Sequence, residues 1–171
     1  MLSSELEKKL NEQMNREFYS AYLYLSMSSW FATQELPGFA NWFRVQTQEE
    51  IVHAMKFFDF INATGGHAIT ASIDGPPSVF GSIIQIFEKS LEHEKFVTSC
   101  INKLVDQARS ESNHATDIFL QWFVTEQIEE ELSVSAILKK ARLMGDEGRG
   151  ILMIDAELAA RVFVPPAQQG Q

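Results

Sequence analysis

Apolar residues recur every three to four positions along most of the chain, the spacing that places them on one face of a helix. The recurrence breaks at Leu36-Pro37-Gly38, Gly65-Gly66, Asp74-Gly75-Pro76-Pro77, Ser110–Asn113 and Gly145-Asp146, where Pro, Gly and short polar residues favour turns. The pattern predicts four long helices near residues 4–33, 38–64, 81–109 and 113–143, and a short fifth near 147–161. Ser4-Glu5-Leu6-Glu7 reads as a capping box opening the first helix. Gly65 and Gly145 stand where helices should stop. No segment reads as a strand. A helix of about 28 residues is about 42 Å long, so four of them in one domain must lie side by side as an all-α bundle. Short turns make the first two helices, and the next two, antiparallel hairpins. The Pro- and Gly-rich stretch 66–80 is long enough for the single crossover such a bundle needs.

The inner stripes of these helices are not purely apolar. They read Leu10, Met14, Glu17, Ala21 and Tyr24 or Leu25 on the first helix, and Phe43, Glu50, His53, Phe57 and Ile61 on the second. The third carries Phe87, Leu91, Glu94, Thr98 and Ile101, and the fourth Phe123, Gln127, Glu130, Val134 and Ile137. Each long helix thus sets one carboxylate near mid-length on the face that should be buried. Burying an unpaired carboxylate is strongly unfavourable. One such residue has a mundane explanation, a misjudged phase or a bundle edge. Four at matching heights, with an imidazole and no Lys or Arg on the stripes beside them, call for a cation. A pair of metal ions fits, and hard oxygen ligands with one histidine suit iron or manganese, with zinc as a competitor.

An internal repeat supports this. Residues 39–50 read FANWFRVQTQEE and residues 119–130 read FLQWFVTEQIEE. The two hairpins are therefore expected to be copies of one unit related by a pseudo-two-fold axis. The equivalent of His53 is Ser133, so two unequal metal positions are expected. The tighter uses Glu17, Glu50 and His53, and the looser Glu50, Glu94 and Glu130, with Glu50 shared. Gln127 can offer an amide oxygen. Glu126, Glu129 and Glu130, with Glu49, form either a third, weaker cation site or a solvated acidic face.

Composition narrows the setting. The chain has 171 residues, 45% of them hydrophobic, and a net charge of −9. That suits a single folded domain over 1–164 and gives no electrostatic reason to bind nucleic acid or an anionic membrane. The lone Cys100 excludes an internal disulfide and any Cys-x-x-Cys metal site, and it is expected to be packed. The charged N-terminus lacks the apolar stretch of a secretory signal, and no apolar run reaches the roughly 20 residues of a membrane span. A cytoplasmic protein is expected, with residues 165–171 a disordered tail. His93 is expected at the surface or an interface, His67 in the crossover and His114 at the start of the fourth helix. Phe18, Tyr19, Tyr22, Trp30 and Phe163-Val164 exceed what a lone bundle needs and point to subunit contacts.

The segments LNEQMNREFYSAYLYLSM, QEEIVHAMKFFDFI, EHE and FLQWFVTEQIEEE, with the short fifth helix, resemble the non-haem ferritins of bacteria and archaea over nearly the whole chain. The resemblance implies a 24-subunit homo-oligomeric cage that oxidises Fe(II) with dioxygen or peroxide and stores ferric mineral. It implies a ferroxidase centre of two irons held by Glu17, Glu50 and His53 and by Glu50, Glu94 and Glu130. It also implies a third iron position at Glu49, Glu126, Glu129 and Glu130, a ligand or supporting role for Gln127, and a Tyr24 beside the centre that can supply an electron. Trp122 is a weaker candidate for that last role. Haem is not expected, because Val52 stands where the similar bacterioferritins place a methionine, and Met55 is nearly a turn away. Rubrerythrins add a Cys-x-x-Cys domain, and mini-ferritins lack the fifth helix. A diiron oxidase acting on another substrate, and a passive metal store, are the alternative readings.

Overall fold

Most of the helix termini are satisfied locally in this protein, and that fixes where those elements begin and end. The structure is a computed structural model that describes residues 2–145 and 148–165. Its elements are α1 (Ser4–Thr33), α2 (Pro37–Ala63), α3 (Ile83–Ser110), α4 (His114–Met144) and α5 (Gly148–Leu158). Among the described residues there is no strand. The start expected at 147 and all of the tail after Pro165 lie outside the described residues. The capping box expected from Ser4 does not form, because Ser4 is already helical. Ser3 is the N-cap instead, its hydroxyl accepting from the Leu6 N–H at 3.0 Å. A reciprocal capping box does open α3, between Ser82 and Gln85.

Three helices end in the same way. Gly66 N–H reaches back to the Ile61 carbonyl at 2.9 Å, Leu36 to Phe31 at 3.2 Å and Asn113 to Ala108 at 2.8 Å. Each closure needs a left-handed residue just past the helix. Gly65 fills that position once (φ 82°), whereas Glu35 (φ 58°) and Ser112 (φ 53°) do so at a cost of about 1 kcal/mol each.

The hairpins α1–α2 and α3–α4 are joined by a crossover that climbs α1. Its backbone is held by amides one turn apart on that helix. Asn11 accepts from the Ile69 N–H at 2.6 Å and donates to the His67 carbonyl at 3.0 Å. Asn15 accepts from Ala71 at 2.8 Å and donates to Ile69 at 2.9 Å. Ser26 donates to the Pro77 carbonyl further up, at 2.6 Å. The side chains of α1 thus supply hydrogen bonds that a strand would take from a neighbour.

The core is in two parts. One, around Phe31, Phe39, Phe43, Phe87 and Val134, is continued by Ile154 and Leu158 of α5. The other, around Leu6, Met14, Phe57, Ile101 and Phe123, fills the opposite end. Between them lies a buried polar layer that includes Glu17, Ser20, Gln46, Glu50, His53, Glu94, Gln127 and Glu130. No described helix is long and apolar enough to cross a membrane.

Helix α5 is locked onto the start of α2. Leu36 gives α2 no side-chain cap. Asp155 of α5 supplies one from a distance, accepting from the buried Phe39 N–H at 2.9 Å. Asn41 returns the favour by donating to the Leu158 and Arg161 carbonyls at 3.2 and 2.9 Å. The approach requires Gly38, since a Cβ there would sit 1.7 Å from the Asp155 carbonyl oxygen. Gly38→Ala should therefore undock α5, with a loss of about 2–3 kcal/mol, read as faster amide exchange over 148–158. Unchanged exchange there would contradict this packing.

Candidate metal centre

The polar layer is assembled by helix register alone. Glu17 comes from α1, Glu50 and His53 from consecutive turns of α2, Glu94 from α3, and Gln127 and Glu130 from α4; all are buried. Ligand atoms of Glu17, Glu50 and His53 lie within 4.8 Å of one another, and so do those of His53, Glu126 and Glu130. His53 belongs to both groups. Its Nδ1 faces Glu50 Oε2 at 3.4 Å and its Nε2 faces Glu126 Oε1 at 3.7 Å. The first expected position is thus brought together as read from the sequence.

The residues expected at the second are less closely grouped. Glu94 joins neither group; the Tyr24 hydroxyl donates to one of its oxygens and Gln127 Nε2 to the other at 3.2 Å. Gln127 therefore acts here through its nitrogen, as a donor to Glu94. The acidic cluster on α4 is only partly drawn in. Glu126 and Glu130 face His53, while Glu129 is exposed, and Glu49 pairs with Arg161 at 2.7 Å.

Several contributors were not legible from the stripes. Gln13, one turn before Glu17, donates to it at 2.8 Å. Gln46, one turn before Glu50, crosses the bundle to donate to Glu130 Oε2 at 2.7 Å. The repeat contained a signal for Gln46, because it aligns with Glu126, and both side chains reach across between α2 and α4. His93, expected at the surface or an interface, is half-buried, at 2.8 Å from the Ser20 hydroxyl and edge-on to the Tyr24 ring. Burial pushes its pKa down to about 4. Trp122 meets the His53 ring at 5.4 Å, with the Lys56 ammonium 4.1 Å over its own face. Cys100 is buried, as expected.

The electrostatics of the layer are those of carboxylates that could hold a cation. Burial raises the carboxyl pKa of Glu17 and Glu130 above the ordinary value, that of Glu50 far above it, and that of Glu94 to about 8. Glu49 is pushed up to about 7 by burial, with Arg161 pulling the other way. Burial disfavours the His53 imidazolium, but Glu126 and Glu50 overcome this and raise its pKa. Tyr24 is raised by burial and then by Glu94. Glu50 Oε2 and Gln46 Oε1 are buried acceptors without a hydrogen-bond partner. Each such orphan costs about 1–3 kcal/mol, and a cation among the carboxylates removes that cost. The donor set, hard oxygens with one imidazole, fits iron, manganese or zinc.

Residues 7–144 match the family profile of the ferritin-like domain. The chain is 42% identical over 158 residues to a probable bacterial non-heme ferritin-like protein of Haemophilus influenzae, covering 92% of this chain and 96% of that one. It is 41% identical over 155 residues to a bacterial non-heme ferritin of Campylobacter jejuni, covering 91% and 93%. Among solved structures, an open pore ferritin from the hyperthermophilic archaeon Archaeoglobus fulgidus superposes with a TM-score of 0.94 at 48% identity, over 95% of this chain and 99% of that one. An engineered closed form of the same ferritin superposes equally, at 47% identity over 96% and 100%.

Proposed function

Because the chain belongs to the ferritin family, we propose that it is an iron-storage subunit that oxidises Fe(II) with dioxygen or peroxide between its four long helices. The observation that carries this reading is the buried carboxylate layer, with an acceptor on Glu50 that no protein donor satisfies. Fe(II) is the substrate. One ion is held by Glu17, Glu50 and His53. A second is held by Glu50, Glu94 and Glu130, and Glu94 turns from its Tyr24 and Gln127 donors to reach it. Two Fe(II) ions lose one electron each. With two protons, those electrons reduce one dioxygen to hydrogen peroxide, or one peroxide to two waters.

The residues divide the work by chemistry. Anionic oxygens stabilise the higher charge of Fe(III) over Fe(II), which favours oxidation. Glu126 orients the His53 ring from behind, as outer carboxylates do for metal-bound imidazoles. Gln46 and Gln13 fix Glu130 and Glu17 through their amides. Tyr24 can lend an electron where the oxidant needs more than two irons supply. Product iron passes toward Glu126, Glu129 and Glu49 and on to an acidic interior.

Membership of the family supports a cage assembly. A 24-subunit homo-oligomeric cage in the cytoplasm would cover the exposed apolar residues of the bundle, among them Tyr22, Phe96 and Leu132. Anaerobic Fe(II) titration by calorimetry should give two tight ions per chain. A single tight ion, or none, would overturn the two-metal centre.

A further inference from the structure

Arg161 lies just beyond α5, far in sequence from the carboxylates, yet its guanidinium ends on one of them. Arg161 Nη2 donates to Glu49 Oε2 at 2.7 Å, and Nη1 donates to the Trp42 carbonyl at 3.3 Å. The guanidinium carbon sits 4.8 Å over the Trp42 ring, a cation–π geometry. Its backbone is fastened as well, because the Arg161 carbonyl accepts from Asn41 at 2.9 Å. Three-quarters of the Arg161 and Glu49 side chains are buried, their exposures being 25% and 22%. The ion pair is thus only partly screened. Of the four carboxylates expected to share a third cation, one is therefore already neutralised by a tethered cation of the protein itself.

We propose that Arg161 is an internal counter-cation for the third metal position: it holds Glu49, and an ion binding among Glu49, Glu126, Glu129 and Glu130 must displace it. This inference rests on the ferroxidase reading above. Displacement sets the rank of the sites. Arg161 makes its direct contact with Glu49 and reaches Glu130 of the dinuclear positions only through its field, whereas the third position must break an ion pair, a hydrogen bond and a stacked contact. The third ion is thereby kept weakly bound and mobile, which suits a transit position between the dinuclear centre and the cage interior. Breaking the contact also removes one tie between the residues after α5 and α2, while the bonds from Asn41 to that backbone remain. Third-site occupancy and the seating of that segment are then linked, and each weakens the other.

The test is anaerobic Fe(II) calorimetry on the assembled full-length protein. Wild type should bind two tight ions and a weaker third. Arg161→Gln should tighten the third at least tenfold and leave the first two unchanged, which also shows that the variant is folded. Arg161→Lys keeps the charge and should bind like wild type. Adding Glu49→Gln to Arg161→Gln should remove the gain. A third site in Arg161→Gln that is no tighter than in wild type overturns the inference. Equal tightening in Arg161→Lys also overturns it, because the effect would then be structural and not a competition of charges. Absence of the two tight ions from wild type would instead overturn the ferroxidase reading, and this inference with it.

Discussion

Replacing Glu50 by alanine should slow the initial oxidation of Fe(II) about a hundredfold or more while leaving the bundle folded. Glu50 is the carboxylate shared by both proposed positions. Its Oε2 faces His53 Nδ1 at 3.4 Å without a well-formed hydrogen bond, so a cation there would meet an under-satisfied acceptor. Removing one electrostatic contact at a reacting centre typically costs a hundredfold to a thousandfold in rate. Here the loss would fall on both proposed ions, since Glu50 is proposed to serve each of them. Stability should change little. The substitution leaves a small cavity, which destabilises, but it also removes a buried carboxyl with an orphaned oxygen, which stabilises by about 1–3 kcal/mol. Stopped-flow absorbance of the ferric product checks the rate, and a thermal midpoint checks the fold. Oxidation at the wild-type rate would remove Glu50 from the centre.

Metal-free protein should lose stability as pH rises from about 5 to about 8, and Fe(II) or Zn(II) should restore it. Glu94 titrates near 8 in the folded state because burial, then Glu130, disfavour its charge, against a reference value of 4.5. Glu17, Glu50 and Glu130 are raised in the same direction, again by burial first. The folded protein therefore holds more protons than the unfolded chain throughout this window. Stability then falls with pH; it is full below the unfolded pKa and lost as pH passes the folded one. His53, raised by Glu126 and Glu50 against the pull of burial, has the same sign. One pKa unit corresponds to about 1.4 kcal/mol, so Glu94 alone can contribute about 4 kcal/mol. A bound divalent ion replaces the protons and reverses the trend, with proton release on binding. Thermal midpoints in chelator at pH 5.5 and 8, and again with Zn(II), read both halves. A metal-free protein more stable at pH 8 would contradict the buried, partner-poor state of these carboxylates.

Much of this was legible in the sequence because the bundle is regular. A period of 3.6 residues places Glu17, Glu50, Glu94 and Glu130 inward once the core face is known, and Pro37, Gly65 and Gly145 mark helix boundaries to within a residue or two. The repeat of FANWF and FLQWF conveyed the pairing of hairpins. What escaped depends on contacts between distant segments. Nothing in the local pattern says that Asp155 caps α2, that Arg161 reaches Glu49, or that Gln46 crosses to Glu130. The contacts of His93 are of the same long-range kind. Its angle from Glu94 on α3 points away from the metal layer, but the neighbouring surface is filled by Tyr19 and Ser20 of α1. At the start of α1 the slip was one residue, because Ser3 and Ser4 are chemically equal caps and only the backbone of Ser3 is extended.

The central claim is that this chain oxidises Fe(II) and keeps the product as mineral inside a cage. The most direct test adds a large excess of Fe(II) in air to purified protein, then follows protein and iron through size exclusion. Soluble ferric iron, far in excess of two per chain, should co-elute with a large assembly. A small species carrying about two irons per chain would contradict it and favour a stand-alone diiron enzyme.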